Sequence, residues 1–322
     1  MKVAFTSCML QQRFERQPVW QRIQAEDPDC LVLLGNAIHL DIDAAPRNMS
    51  PGEFAAHAHG LYREQLAVPE FDALLRHMAG KGGRRVFAIR NDHDFLWHGA
   101  AGADIARNAE HQGKLEPSRV LFQLFQQALV EVGSFPASLD EVTPPQVPDT
   151  SAWHESLPLR DDVWLHLTDG RSQRGDTWLV PQDSRSLLGQ PQLDALTAAI
   201  AAAAPGAVHL LASASTSCDW KHYQREWTAL ADVAAGHRVL MLSGDLRRNA
   251  FASHSESTGW PLHEATSSGA AVRDAVLYGT EVENFALAEI DTAEVRIRFF
   301  DRDGETAPRR IARAGWNLIA NG

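Results

Sequence analysis

The stretch that decides the fold is VFAIRNDHD, at residues 86–94. Four apolar residues form a short buried strand, and after one arginine they are followed by Asn91, Asp92, His93 and Asp94. In open α/β sheets, ligands bind beyond the carboxyl ends of the strands. Amide, carboxylate and imidazole groups are also the groups that bind metals and move protons. The stretch therefore predicts an active site where a buried strand leaves its sheet.

The composition of the 322-residue chain is that of a globular protein, because 44% of its residues are hydrophobic. Thirty basic residues stand against 41 acidic ones, and the net charge of −11 argues against general nucleic-acid binding. Three cysteines are too few for a disulfide framework, which favours a reducing compartment. The first residues have the pattern of a strand, so we expect no leader, and no apolar run approaches the roughly 20 residues of a membrane span. We expect a cytoplasmic protein without membrane contacts.

Short apolar runs alternate with longer amphipathic stretches along most of the chain. The strand candidates are Val3–Ser7, Cys30–Leu34, Arg85–Ile89, Val163–Leu167, Val208–Ala212 and Val239–Ser243. The helix candidates are Val19–Ala25, Pro51–Met78, Pro117–Val132, Gln190–Ala203 and Trp220–Ala234. This repetition predicts right-handed crossovers and a largely parallel sheet with helices outside it.

The C-terminal part of the chain has a different pattern. Leu262–Ser267, Phe285–Ile290 and Val295–Phe300 are strand candidates, and no helix separates the last two. We expect them in a second, mixed or antiparallel sheet that packs on the first. The proline-rich and acidic residues 134–161 predict a long loop or insertion. Since both ends of the chain contribute strands, residues 1–322 are expected to form a single domain.

Residues able to bind metals or anions follow each of the early strands. They are Cys8, then Asn36 and His39, then Asn91 to Asp94, then Asp169 to Arg171, then Ser213 and Ser215, and finally Asp245 and Arg247. Carboxylate, imidazole and thiolate groups suit a transition-metal site, and Arg171, Arg174, Arg247 or Arg248 suit an anionic group. Each residue alone also has a structural explanation, because polar residues are normal in turns and a lone cysteine is usually a small buried side chain.

Seven motifs in this order resemble those of the alkaline phosphatase D, or PhoD-like, branch of the calcineurin-like metallophosphoesterases. The motifs are FTSC (5–8), LLGNAIH (33–39), NDHDF (91–95), DGRSQR (169–174), LGQPQL (188–193), DWKHYQRE (219–226) and LSGD (242–245). The resemblance covers most of the chain. It implies a four-layer α/β/β/α sandwich of two mixed sheets with a multinuclear metal centre.

The chain departs from the family pattern at three positions of that metal centre. Asn36 stands where the family has a bridging Asp, His39 where it has a Tyr ligand, and Arg247 where it has a His. A neutral amide brings no charge to bridge two metals, and a guanidinium does not bind a metal. The retained counterparts are Cys8, Asp92, His93, Asp94 and Asp245. The resemblance therefore implies the fold together with a remodelled site.

The first functional hypothesis is a phosphoric ester hydrolase, either a phosphomonoesterase or a phosphodiesterase, that uses a metal-activated water. The expected metal ligands, for one metal or for two held unequally, are Cys8, Asn36, His39, Asp92 and Asp245. Iron, calcium, manganese and zinc are all compatible with this set. His93 would protonate the leaving oxygen while Asp94 orients its ring, and Arg171 or Arg247 would balance the charge of the transferring group. The substrate would be a small phosphorylated molecule.

The second hypothesis is a catalytically degenerate relative that holds no metal and binds a phosphorylated ligand or a protein partner. The loss of the bridging Asp and of the metal-binding His motivates it. The enzyme is slightly favoured because residues 92–94 are intact. A hydrolase with a Ser or Cys nucleophile has little support, because the sequence contains no Gly-x-Ser-x-Gly elbow. The sequence gives no indication of oligomeric state.

Overall fold

The computed structural model describes residues 1–142, 154–175, 181–255, 258–275 and 278–320. The strands are β1 (Lys2–Thr6), β2 (Cys30–Leu34), β3 (Val86–Ile89), β4 (Glu155–Arg160), β5 (Val163–Leu167), β6 (Val208–Ser213), β7 (Arg238–Ser243), β8 (Ala250–His254), β9 (Leu262–Thr266), β10 (Val272–Arg273), β11 (Glu281–Val282), β12 (Phe285–Ile290), β13 (Glu294–Asp301), β14 (Gly304–Glu305), β15 (Arg309–Ala312) and β16 (Asn317–Leu318). The helices are α1 (Val19–Ala25), α2 (Pro51–Leu66), α3 (Pro69–Gly80), α4 (Asp92–Phe95), α5 (Gly102–Ile105), α6 (Leu115–Val130), α7 (Gln190–Ala202), α8 (Ser217–Trp220) and α9 (Gln224–Gly236).

The strands form two large mixed sheets. The first has the order β16-β15-β13-β12-β1-β2-β3, with β14 paired to β13. Its strands β1, β2 and β3 are parallel, whereas β12 runs antiparallel to β1, with Val3 opposite Ala288. The second sheet has the order β4-β5-β6-β7-β9-β8. It is parallel from β5 to β9 and carries an antiparallel strand at each edge.

Three apolar cores separate four layers of secondary structure. Alternate residues of a strand face opposite sides of its sheet, so Phe5 points toward the second sheet while Ala4 points toward helices. Helices α1, α2, α3 and α6 cover the outer face of the first sheet. Between the sheets, Phe5 packs in one cluster with Leu210. Helices α7 and α9 cover the second sheet, where Trp227 belongs to the cluster around Met241. The predicted four-layer α/β/β/α sandwich is confirmed.

Two long helix candidates are each divided in the structure. The stretch 51–78 forms α2 and α3, separated at Val68, whose backbone is extended at φ −60° and ψ 120°. Pro69 is responsible, because a proline disfavours the helical conformation of the residue before it and suits the first turn of a new helix. The stretch 220–234 similarly falls into α8 and α9.

The predicted loop at 134–161 is only partly a loop. Its last part forms β4, which pairs with β5 and contains a register shift between Pro158 and Arg160. Residues 143–153, which carry three of the five prolines of this stretch, lie outside the described residues. That residues 1–322 form one domain stays a prediction. Across the described ranges, no helix has both the length and the apolar character needed to cross a membrane.

The distribution of strands between the sheets differs from the prediction. The six early strands were expected in one parallel sheet, but β1–β3 and β5–β7 belong to different sheets. Strands β12 and β13 extend the first sheet, whereas β9 extends the second. The two sheets stack with the carboxyl ends of their parallel strands at a common edge. The residues that follow these strands can therefore still converge.

Candidate metal centre and active site

Two glycines allow the loops at the common edge to approach one another. Gly35, at φ +92°, follows β2, and a Cβ atom there would lie 2.7 Å from Asn91 Cβ. Gly244 follows β7, and a Cβ atom there would lie 2.7 Å from Ser7 Oγ. Real Cβ atoms do not make contacts this short, so a larger residue would push the loops apart. These glycines join the ends of β1, β2, β3 and β7 into one site.

Several of the predicted site residues have a strained backbone. Seven described residues other than glycine have positive φ, and four of them are Cys8 (62°), Asn36 (55°), Asp245 (75°) and Arg247 (53°). Such conformations cost about 1–3 kcal/mol each and cluster at functional sites. The three loops that carry these residues therefore adopt unfavourable backbone conformations that place them at the site.

Asp92 is a buried carboxylate with one uncommitted oxygen. Its Oδ2 accepts a hydrogen bond from the Gly99 N–H at 2.9 Å and lies 3.1 Å from His98 Nδ1. Its Oδ1 has no hydrogen-bond partner among the described residues and lies 3.8 Å from Arg171 Nη2. Burial opposes ionisation, but His98 and the Arg171 charge outweigh it and hold the pKa of Asp92 well below its ordinary value. Asp92 is therefore ionised, with Oδ1 available to a cation.

The ring of His93 is held by Asp41. Its Nδ1 lies 2.6 Å from Asp41 Oδ1, and Asp41 Oδ2 accepts a hydrogen bond from the His98 N–H at 2.8 Å. Partial burial raises the pKa of Asp41, but hydrogen bonding to His93 outweighs this and holds it below the ordinary value. An ionised Asp41 places the ring proton on Nδ1 and leaves Nε2 unprotonated. The prediction that Asp94 orients His93 is wrong, because Asp41 makes this contact.

Asp94 instead fastens two loops together. Its Oδ1 accepts a hydrogen bond from the Asn91 N–H at 2.6 Å, and its Oδ2 accepts one from the Ala37 N–H at 2.9 Å. Burial raises the pKa of Asp94 to about 7. Asp94 thus fixes the turn after β3 to the turn after β2.

Arg171 and Asp245 meet at Asn91. Arg171 donates to Asn91 Oδ1 from Nε at 2.9 Å and also from Nη2. The Asn91 amide in turn donates from Nδ2 to Asp245 Oδ1 at 2.8 Å. Asp245 is open to solvent at the mouth of the site, but the surrounding protein atoms and the charge of Asp92 raise its pKa. The two sheets therefore meet at a network of one guanidinium, one amide and two carboxylates.

A buried turn positions Arg171. Asp169 Oδ1 accepts hydrogen bonds from the Arg171 and Ser172 N–H groups, each at 2.9 Å. Asp169 Oδ2 also pairs with Arg90 Nη2 at 3.0 Å. Arg174, the other arginine of the motif, points elsewhere: its Nη2 donates to Asp219 Oδ1 at 3.0 Å. Of these two arginines, Arg171 is the one that contacts the site.

Three of the predicted metal ligands, Cys8, Asn36 and His39, form a second group. Most of their potential ligand atoms are already hydrogen-bonded to protein groups. Cys8 Sγ accepts hydrogen bonds from Ser268 Oγ at 3.3 Å and from Asn36 Nδ2 at 3.5 Å. Burial and the charge of Asp245 raise the pKa of the Cys8 thiol. Asn36 Oδ1 accepts a hydrogen bond from the His93 N–H at 3.3 Å. Asn36 therefore uses both ends of its amide to bind protein groups.

His39 is the exception in this group. Its Nδ1 lies 3.0 Å from Met9 O, to which it donates, and its buried Nε2 has no partner within the described part of the chain. Burial, with the neighbouring His93, lowers the pKa of His39 to about 3. Its ring centroid lies 4.6 Å from that of His93. His39 therefore presents a neutral imidazole nitrogen toward the site.

Arg247 borders the Cys8 side of the site. Its backbone N–H donates to Ser268 Oγ at 3.0 Å, and Ser268 is the residue that donates to Cys8. Its Nη1 donates to Asp274 O at 3.2 Å. Arg247 is thus a cation held at the edge of the site where the resemblance implies a metal ligand.

Asp92, His93 and His98 form a cluster able to hold a metal ion. Each offers a ligand atom, and these atoms lie within 4.8 Å of one another. The bare Asp92 Oδ1 and the His93 ring oriented by Asp41 fit a transition metal, because metal-binding histidines usually donate their second N–H to a carboxylate. The larger predicted set of Cys8, Asn36, His39, Asp92 and Asp245 stays a prediction.

Sequence reasoning missed His98 and Asp41. The signals were weak but present. His98 is a polar residue directly after the apolar run Phe95-Leu96-Trp97, and Asp41 stands two residues beyond His39. Neither residue directly follows a strand, which is where the predicted site residues lie.

Comparison with known proteins found structures of similar fold, whereas neither the family models nor the curated proteins match the sequence. Among solved structures, PhoD matches with a TM-score of 0.63 and 14% identity, over 100% of this chain and 72% of that chain.

Two further structures are less similar. A conserved uncharacterized protein from Streptococcus pneumoniae, a predicted phosphoesterase, has a TM-score of 0.35 and 9% identity, over 97% of each chain. Vps29 from Entamoeba histolytica, complexed with zinc, has a TM-score of 0.37 and 11% identity, over 97% of this chain and 99% of that chain. TM-scores this low carry no argument about this chain. The match to PhoD shows that this chain has the same fold as PhoD.

Proposed function

We propose that the protein is a metal-dependent phosphoric ester hydrolase that acts on a small phosphorylated substrate. The observation that carries the proposal is the ionised, buried Asp92 with its bare Oδ1, beside the imidazoles of His93 and His98. A buried carboxylate oxygen without a partner is costly unless a cation or water satisfies it. The fold shared with PhoD supports the same reaction class.

Each residue of the site has its own role in the proposed reaction. Asp92, His93 and His98 would hold the metal, which supplies Lewis-acid stabilisation of the phosphoryl group and activates water. Asp41 fixes the orientation of the His93 ring through its contact with Nδ1. Arg171 lies close enough to Asp92 to place positive charge beside the transferring group. The general-acid role predicted for His93 competes with this assignment, because an Nε2 atom bound to a metal carries no proton.

The test is hydrolysis of an aryl phosphate monoester and an aryl phosphate diester by purified protein. The protein is first treated with a chelator and then supplied separately with iron, calcium, manganese or zinc. We expect activity with at least one metal and its loss in Asp92→Asn. The matched control is Asp303→Asn, which changes an exposed carboxylate on the turn between β13 and β14. Turnover of neither ester with any metal would overturn the proposal.

A metal-free binding protein is the second candidate. It is favoured by the amide of Asn36, whose two ends are both hydrogen-bonded to protein groups, and by the positive charge of Arg247. This candidate predicts that protein in chelator binds inorganic phosphate and that added metals leave the affinity unchanged. Titration calorimetry with and without metal separates the two functions. Stoichiometric metal together with turnover would exclude the second.

A further inference from the structure

We propose that a cationic cleft beside the site binds the part of the substrate that is not transferred, namely a flat ring bearing a second phosphate or carboxylate. The cleft has a volume of about 460 Å³ and lies between β8 and the strands β13 and β15. Arginines Arg247, Arg248 and Arg309 line it. This inference rests on the proposed function, since it names the class of substrate for the same site.

The charge of the cleft is opposite to that of the chain. The chain carries a net charge of −11, whereas three guanidinium groups and one carboxylate, that of Asp301, line the cleft. Asp301 Oδ1 is occupied by the N–H groups of Asp303 and Gly304, at 2.9 and 3.1 Å. The side chains of Arg248 and Arg309 make no hydrogen bond or ion pair with any described residue. An anion entering the cleft would thus meet uncompensated positive charge.

An exposed arginine on a protein surface usually contacts only water. These three arginines differ because they line the same concave cleft. Arg247 also connects the cleft to the Cys8 side of the candidate site. Its backbone N–H donates to Ser268 Oγ, which donates to Cys8 Sγ. Its Nε has no acceptor within the described part of the chain, and Nη1 makes one bond, to Asp274 O. A ligand in the cleft would therefore lie next to the Cys8 side of the site.

Part of the lining of the cleft is aromatic. Phe251 from β8 and Phe299 from β13 contribute aromatic rings. Asn249 also lines the cleft, and two hydrogen bonds hold its side chain: its Nδ2 donates to Phe300 O at 2.9 Å and its Oδ1 accepts from Ser267 Oγ at 2.8 Å. The volume falls within the roughly 300–1,000 Å³ typical of small-molecule pockets. Aromatic walls with guanidinium groups suit a ring that carries an anion.

The first experiment measures binding without catalysis. Titration calorimetry is run with 4-carboxyphenyl phosphate on metal-free protein in chelator. In Arg248→Ala/Arg309→Ala we expect affinity to fall about 10-fold, the loss of about one charge-assisted hydrogen bond. Arg225→Ala is the matched control, because Arg225 is an exposed arginine of α9 without a partner among the described residues. Equal affinities in the double variant and the control would overturn the inference.

The second experiment measures selectivity in the metal-loaded enzyme. The ratio of kcat/KM for 4-carboxyphenyl phosphate to that for phenyl phosphate should fall about 10-fold in the double variant. The kcat/KM for phenyl phosphate itself should not change. An unchanged ratio would contradict the inference. If neither ester is hydrolysed, the proposed function fails, and the binding experiment still decides whether the cleft recognises an anion.

Discussion

The two halves of the candidate site differ in backbone strain and in the state of their ligand atoms, because Cys8 and Asn36 have positive φ whereas Asp92, His93 and His98 do not. In the half built by Asp92, His93 and His98, a carboxylate oxygen is bare and an imidazole is oriented by Asp41. In the half built by Cys8 and Asn36, thiol and amide are hydrogen-bonded to protein groups. The half whose ligands have ordinary backbone conformations is therefore the half with a carboxylate oxygen open to a metal.

Charge explains the asymmetry. Asn36 brings no negative charge to its half of the site, and Arg247 brings a positive charge to the same side. A cation is then best held where negative charge remains, at Asp92 and the neighbouring Asp245.

The largest effect is expected from Asp92→Asn. This change removes the ionised carboxylate, and kcat/KM for an aryl phosphate should fall at least about 100-fold, more than is typical for outer-sphere partners. Cys8→Ser, in the other half, should lower it less than about 10-fold, because a hydrogen-bonded thiol contributes little to a metal held elsewhere. Steady-state kinetics with saturating metal measures both. A larger loss in Cys8→Ser than in Asp92→Asn would reverse the assignment of the halves.

The second prediction concerns Asp41. Asp41→Asn should lower metal affinity or kcat/KM about 10- to 100-fold, because it weakens the contact that orients His93. The control is Asp43→Asn, since Asp43 is exposed and pairs with Arg13 at 2.6 Å. Metal affinity is measured by competition with a chromogenic chelator. If the two variants bind metal equally, Asp41 does not act through the histidine.

The third prediction concerns adding a metal site to the half built by Cys8 and Asn36. Asn36→Asp combined with Arg247→His should raise the number of bound metals by one, because it returns a bridging carboxylate and an imidazole. Neither single change should suffice, since each restores only one ligand. Elemental analysis of the dialysed proteins gives the stoichiometry. An unchanged metal content in the double variant would mean that the second half cannot hold an ion in this framework.

The smallest effect is on stability and comes from His39. Its pKa is lowered to about 3 in the fold from 6.5, so the unfolded chain takes up a proton that the folded chain does not. Stability is therefore full above pH 6.5 and falls as the pH drops below it. At pH 5, His39→Gln should remove roughly 1–2 kcal/mol of this acid destabilisation.

Urea unfolding of the metal-free protein at pH 7 and pH 5 measures that change. His166 and His209, whose pKa values burial lowers to about 3 and about 4, lie in the second sheet and supply a pH dependence that the variant retains. An identical pH dependence in wild type and His39→Gln would show that His39 is not buried as a neutral imidazole.

Local patterns allowed most of the fold to be predicted. The buried run before Asn91 and the amphipathic helices follow from periodicity, and the strand ends located the site. The joining of β12 to β1 was not predictable, because pairing over such a sequence separation depends on the packing of the whole chain. The contacts of Asp41 with His93 and of Asp94 with Ala37 cross between loops. Which carboxylate serves the imidazole is therefore decided by tertiary structure.

The most direct test of the account is the metal content of wild type, Asp92→Asn and Cys8→Ser, measured after purification, loading with a divalent metal and dialysis. Wild type and Cys8→Ser should retain the same amount of metal, and Asp92→Asn should lose it. Far-UV circular dichroism confirms that all three are folded. Retention of metal by Asp92→Asn, together with its loss from Cys8→Ser, would contradict the account.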